Sequence, residues 1–206
     1  MYTDIGRLLE DMRALQEQLE EYFEDAREKF RYTLEDGRVR FAEEVQQLHR
    51  RYRVSSLRYL LDAELGSILT APVIYSMIVP LVILDLGFTL FQHICFRAYG
   101  VPLVVRRDYL INDRHRLGYL NTIEKVNCTY CGYGNGVVAY AREIISRTEQ
   151  YWCPIRHARR LVDAHRRYPR FFDYGDAQAY QQGLVTQRRA LGEETIAAGG
   201  GIPRKD

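Results

Sequence analysis

Apolar residues recur at three- and four-residue spacing near the N-terminus: Ile5, Leu8, Met12, Leu15, Leu19, Tyr22 and Ala26, with acids and bases between them. That period predicts an amphipathic helix over residues 4–35 with a coiled-coil-like seam. Asp36-Gly37 then supplies turn chemistry. Phe41, Val45, Leu48 and Tyr52 fall on one face of a second helical pattern. Residues 1–64 therefore read as a helical hairpin or coiled-coil arm. It either packs on itself or engages a partner, or a second copy, through residues 4–60.

The period disappears at residue 65. The stretch 65–96, "LGSILTAPVIYSMIVPLVILDLGFTLFQHICF", is apolar on every face, and from Leu65 to Leu84 there is no charge. About 20 such residues cross a hydrocarbon core about 30 Å thick, so this segment is expected to be embedded in a lipid bilayer. Pro80 removes a backbone donor and favours a kink, and Asp85 is costly at membrane depth unless it faces protein. Two topologies fit. One is a single tilted, kinked span, the simpler of the two. The other is a re-entrant hairpin bent near Pro80, with both ends on the cytoplasmic side.

Beyond residue 96 the pattern returns to mixed apolar and polar. "VPLVVRRDYL" (101–110) reads as a short extended segment. From Leu117 to about Tyr168 the pattern is mostly helical, interrupted at Gly132, Gly134, Gly136 and Pro154. Residues 183–206 are polar and expected to form a flexible tail. The fold class that results is mostly α: the arm, one membrane-embedded segment, and a helical domain over 97–182.

Charge sharpens this division. Residues 1–64 hold 11 Lys/Arg and 15 Asp/Glu, a net of −4, whereas 97–206 hold 18 and 11, a net of +7. Positive residues favour the cytoplasmic side of a membrane; they flank the segment on both sides, "HRRYRVSSLR" before it and Arg97, Arg106, Arg107, Arg114 and Arg116 after it, and the more basic C-terminal side, 97–182, is expected to be cytoplasmic. The basic run "RHARRLVDAHRR" suits lipid headgroups or plain solvent better than nucleic acid, which is not expected as a partner. The first 18 residues are charged throughout and lack the apolar core of a secretion signal. The four cysteines, Cys95, Cys128, Cys131 and Cys153, are accordingly expected to stay reduced, where C-x-x-C indicates metal or redox chemistry rather than a disulfide framework.

The cysteines carry the candidate chemistry. Cys128 and Cys131 have the spacing that offers two thiolates to one ion, with Gly132 placed to shape a knuckle. Cys153 and His157 are four apart and would share a helix face, with Pro154 in the first turn. Together they read as a three-cysteine, one-histidine set that zinc would close as a tetrahedral structural site. Iron or an iron–sulfur cluster is the alternative, and a redox dithiol at 128/131 is a third. Glu124 and Glu149 each lie four residues before a cysteine, where carboxylates orient metal-bound ligands or else pair with Arg142, Arg147 or Arg156. Asp113, His115 and Glu143 are the remaining titratable candidates. "GYGNG" lacks the lysine of a phosphate-binding loop. His93 and Cys95 end the apolar segment without an evident role.

The block Tyr119–Arg160, with "NCTYCGYGNG" and "EQYWCPIRHA", resembles a family of uncharacterised bacterial membrane-associated proteins with an NCxYCxYxNG…EQYWCPI(K/R)HA pattern. The likeness runs from about Pro72 to Arg160. It implies a bacterial origin, and so the inner membrane, and it brings no activity. The leading expectation is a membrane-anchored metal-binding protein. A membrane-associated iron enzyme and a coiled-coil adaptor assembling a membrane complex are the alternatives.

Overall fold

A computed structural model describes the backbone of residues 2–35 and 38–198, with side chains described over 14–33 and 39–193. The chain is mostly helical. It divides into two compact units, one made by the N-terminal 60 residues with Asp113–Lys125, the other by Leu61–Asn112 with the chain from Val126 onward.

In the first unit, helix α1 spans Tyr2–Lys29 as its periodicity predicts. Arg31, at φ 48°, takes the left-handed conformation that ends it. The next segment is not a direct turn into a second helix. Strands β1 (Tyr32–Glu35) and β2 (Arg38–Phe41) form an antiparallel hairpin with Tyr32 opposite Phe41. The expected turn at Asp36-Gly37 lies outside the described residues. Helix α2 (Glu43–Tyr52) follows, and α3 (Ser56–Leu61) comes after it. Phe41, expected on the face of the second helix, instead ends β2. Its ring lies 5.8 Å from Tyr32 and 4.9 Å from His49, which in turn meets Tyr119 at 5.0 Å. This aromatic chain, with Gly118 close against His49, brings residues 113–125 onto the hairpin.

In the second unit the apolar segment forms one rod. Helix α4 (Leu65–Ser76) and helix α5 (Ile78–Phe91) are separated by Met77 alone. Met77 keeps right-handed helical dihedrals (φ −65°, ψ −10°), and Leu81 N–H bonds its carbonyl at 3.3 Å. The cause of the break is local. Pro80 has no N–H to give the Ser76 carbonyl, so one helical bond is missing and the axis continues. The chain does not fold back at Pro80, and the re-entrant hairpin is not the arrangement adopted. A five-residue π-helical turn (Gln92–Phe96) and the short α6 (Arg97–Tyr99) complete the rod, which ends at Gly100 in the left-handed conformation.

Helix α7 (Thr122–Trp152) has 31 residues and runs straight through the glycine-rich stretch. None of Gly132, Gly134 and Gly136 has a positive φ, so they form no knuckle and do not interrupt the helix. They are sites of close approach instead. A Cβ on Gly134 would lie 3.2 Å from Leu81, and one on Gly136 would lie 2.8 Å from the Tyr109 carbonyl oxygen. Two turns of α7 thus pack against α5 and the 109–111 segment with backbone in place of side chains.

Residues 153–157 are extended rather than helical. Pro154 cannot continue α7, and Ile155 bridges Phe172 in parallel, with Phe172 N–H to Pro154 O and Arg156 N–H to Phe172 O both 2.8 Å. The stretch expected to be a flexible tail is helical as far as it is described. Helix α8 (Ala177–Ala198) is capped by Asp176, whose carboxylate accepts from Ala179 N–H at 2.9 Å. Leu191 joins Phe96, Val101, Val104, Tyr140 and Ile144 in the core.

Candidate functional site

The inner face of the apolar rod carries two polar side chains, Asp85 and Gln92, among Phe88, Phe91 and Phe96. Of its side chains only Asp85, Gln92 and Phe96 are buried. Asp85 receives both arms of Arg106, Nε at 2.9 Å and Nη2 at 2.6 Å, and the Tyr133 hydroxyl at 2.9 Å. A bidentate guanidinium neutralises the one charge in the segment and fixes the 101–110 stretch against it. Two turns on, Gln92 reads the backbone of Val104 in both directions. Its Oε1 accepts from Val104 N–H at 2.8 Å, its Nε2 donates to Val104 O at 3.2 Å, and Nε2 also meets the Tyr140 hydroxyl. At the other end of the rod Tyr130 donates to the Ile74 carbonyl at 2.7 Å, and Tyr75 bonds Asn127. These pairs run in the same order along both elements, so α7 lies parallel to the rod.

On the outer face Leu69, Val73, Val79, Ile83, Leu86, Leu90 and Ile94 are each between 59% and 68% exposed. The helix Leu65–Tyr99 is long and apolar enough to cross a membrane, and none of its most apolar window is buried by the rest of the chain. An aqueous core helix has the opposite polarity, with apolar residues inside and Asp and Gln outside.

Glu143, on α7, anchors a second polar cluster. It is 6% exposed and binds three guanidiniums: Arg147 (2.9 Å), Arg166 (2.7 and 3.1 Å) and Arg167 (3.0 and 3.3 Å). Burial alone would raise its pKa. Arg166, Arg147 and Arg167 together outweigh burial and leave it at about 2. Arg147 also reaches the Pro102 carbonyl at 2.7 Å, and Arg167 reaches Gln150 at 2.9 Å. The cluster ties α7 to the segments before and after it. The sequence reading names Glu143 only as a titratable candidate and Arg147 only as a partner for Glu124 or Glu149. The other two arginines come from an irregular loop.

The four residues expected to share a metal are not together. Cys128 and Cys131 lie one turn apart early in α7, and Cys153 lies just past its end, about 33 Å from Cys131 at 1.5 Å per residue. His157 sits on the extended segment, its N–H donating to the Tyr168 hydroxyl at 2.7 Å and its ring stacked on the Tyr168 ring. One tetrahedral shell cannot take donors from both ends of this helix, and an iron–sulfur centre on the same set meets the same separation. Among the described residues no group of three or more His, Cys, Asp or Glu side chains is placed to hold an ion. All four cysteines are free. Burial and the Glu149 carboxylate push the Cys153 thiol up, away from the thiolate form that binds metal.

The carboxylates expected to support that shell have other partners, and these are not the arginines expected for them. Glu124 accepts from Asn121 N–H at 2.8 Å while Asn121 Oδ1 accepts from Glu124 N–H at 3.0 Å, a capping box that starts α7. Glu149 pairs with His165 Nε2 at 2.9 Å. His165 Nδ1 accepts from Arg167 N–H, so the proton sits on Nε2. Arg142 and Arg156 pair with Asp163 and Asp173. His93 Nδ1 lies 2.7 Å from the Thr89 carbonyl. Asp113 and His115 stand on either side of Arg114 at a 3₁₀ turn in the first unit.

This arrangement has a direct chemical check. An immobilised trivalent arsenical captures two thiols one helical turn apart. It is expected to retain the full chain and its Cys153→Ser variant, and to release Cys128→Ser and Cys131→Ser. Loss of capture with Cys153→Ser would mean that the thiols of both ends come together.

No protein-family model matches this chain, and neither a curated protein nor a solved structure is significantly similar to it. The resemblance of the cysteine block therefore carries no residue role into the site, which rests on its own chemistry.

Proposed function

We propose that this chain is a membrane-embedded protein. Its apolar rod sits in a bilayer, and its arginine-rich portion is held at the cytoplasmic face, in the inner membrane of the bacterial host that the resemblance of the cysteine block implies. Its work at that face is anchoring and lipid contact. Metal binding by Cys128, Cys131, Cys153 and His157 as one shell is not part of this reading.

The observation that carries it is the polarity of the rod, with Asp85 and Gln92 facing protein and seven large apolar side chains facing outward. Exposed apolar surface of this extent is stable where the surrounding medium is itself apolar. The orientation is read from the arginines at the C-terminal end of the rod and beyond α7, which runs parallel to it: Arg97, then Arg156, Arg159, Arg160, Arg166, Arg167 and Arg170.

Ile83→Arg tests it. In a bilayer this substitution costs about 2.5–3.5 kcal/mol. The variant is then expected to move substantially from the carbonate-resistant membrane fraction to the soluble or aggregated fraction. In water the same change at a well-exposed site would be close to neutral, and unchanged solubility and yield of a soluble protein would sink the membrane reading. Orientation is tested separately on a chain that retains Cys153 as its sole cysteine. A membrane-impermeant maleimide is expected to label Cys153 only after spheroplasts are permeabilised. Labelling of intact spheroplasts would reverse the assignment.

A further inference from the structure

Where the rod ends, a cleft opens between its π-helical turn and the last two turns of α7. Its volume is about 150 Å³, and its walls, almost wholly apolar, include Phe91, Cys95, Tyr99, Thr148, Tyr151 and Trp152. The cleft follows from the backbone. A π-turn inserts one extra residue per turn and widens the helix locally, and here it is pinned by Gln92, whose side chain holds Val104 from both sides. Cys95, on this turn, lines the cleft opposite Thr148 and Tyr151 of α7. Tyr99, Tyr151 and Trp152 close one end as a three-ring cluster, with centroids 5.2–5.4 Å apart.

Two further features bear on the occupant. Leu90 and Ile94, next in sequence to the Phe91 and Cys95 that line the cleft, belong to the exposed apolar stripe, so the cleft lies one residue round the helix from the face assigned to lipid. At the aromatic end, the Arg188 guanidinium lies 4.8 Å from the Tyr151 ring centroid and 6.0 Å from that of Trp152, and its Nε donates to the Tyr151 carbonyl at 2.8 Å. A cation is therefore held at the rim of an apolar slot. Aromatic rings beside a basic side chain are what a bilayer interface selects.

We propose that this cleft seats a segment of one acyl chain of an anionic phospholipid, with Arg188 facing the headgroup phosphate. An apolar cavity of this size takes a benzene-sized group, which matches part of a chain and not a whole lipid. The proposal rests on the membrane reading above and adds a defined site and a headgroup preference to it.

Trp152 is the only tryptophan in the chain, so its fluorescence reports on this cleft alone. The full chain is reconstituted in phosphatidylcholine vesicles carrying phosphatidylglycerol as minor component, and flotation is scored first. Acyl-brominated phosphatidylglycerol is then titrated in, and brominated phosphatidylcholine is titrated in parallel. The expected result is quenching that saturates at low mole fraction of the anionic lipid and exceeds that by phosphatidylcholine several-fold. Cys95→Phe, which fills the cleft, should abolish the saturable part and leave the collisional part. Arg188→Gln should abolish the headgroup preference. Thr148→Leu fills the cleft from the other wall, should Cys95→Phe fail to fold. If the protein floats but quenching is linear, equal for both lipids and unchanged by the filling variants, the acyl-chain site is overturned and the membrane reading stands. If it does not float, the membrane reading fails, and the site fails with it.

Discussion

Glu143→Gln is expected to cost about 3–5 kcal/mol, the range for removing one partner of a buried ionic cluster. Three guanidiniums converge on this carboxylate. Glutamine preserves the shape and removes the charge, leaving Arg147, Arg166 and Arg167 to repel one another. That loss is a large share of the roughly 5–15 kcal/mol that holds a domain together. The variant should therefore show a much lower Tm in detergent, by far-UV circular dichroism, or fail to fold. A drop of only a degree or two would show that the arginines are solvated well enough to do without their acid.

Acid should produce the same loss in the unaltered chain. Glu143 titrates at about 2 when folded, against an ordinary 4.5. A carboxyl whose pKa is depressed by folding adds stability above its unfolded value and loses it as pH falls through the folded value. Its contribution, about 3 kcal/mol at 1.36 kcal/mol per pKa unit, is complete above pH ~4.5 and fades toward pH ~2. Glu143→Gln has no such proton to gain. The stability gap between the two proteins should be widest near neutrality and close below about pH 2. A constant gap across that window would show that the cost of the substitution does not come from the carboxylate's charge.

The second large effect pairs two alanine substitutions of opposite sign. At Gly136 a Cβ would stand 2.8 Å from the Tyr109 carbonyl oxygen and 3.0 Å from Leu110 Cα. Both are backbone atoms that cannot swing aside, so Gly136→Ala is expected to destabilise by about 1–3 kcal/mol. At Gly132 the nearest atom, the Ile111 carbonyl oxygen, would be 3.5 Å away, an ordinary contact. Gly132→Ala then keeps only the gain in helix propensity, about 0.5–1 kcal/mol, and should raise Tm slightly. A knuckle needing left-handed glycine at 132 would give the opposite order, so the two melting curves decide between the geometries.

What the sequence made legible and what it hid divide along physical lines. The long apolar helix was legible because its signal is an average: twenty uncharged residues outweigh any local exception. The start of α7 was equally open to reading, since Asn121-Thr-Ile-Glu124 is a capping box in plain sequence. It was passed over because Glu124 was weighed as a neighbour of Cys128. The β-hairpin was hidden because one helical reading ran to residue 35 and the next began at Phe41, whereas Tyr32 and Phe41 face each other on paired strands. The glycines misled for a deeper reason. A glycine that frees the backbone and a glycine that admits a neighbour look the same until the neighbour is known, and here the neighbours are Leu81 and Tyr109, 53 and 27 residues away. Cys153 and His157 depended on a helix starting at Pro154, and proline ends a helix as readily as it starts one. Glu143 was named, but its partners Arg166 and Arg167, 23 and 24 residues on, arrive on a loop with no period to read.

The clamp on Asp85 also sets an order for the making of the protein. Asp85 leaves the ribosome 21 residues before Arg106 and 48 before Tyr133. A rod that entered the bilayer as soon as it was synthesised would carry that carboxylate inward with neither partner yet made. The favourable order delays full insertion until the chain has passed Tyr133, so that rod, arginine and tyrosine enter as one neutral package. On the membrane reading proposed above, translation itself, by the distance it puts between an acid and its base, would time the step at which this helix commits to the bilayer.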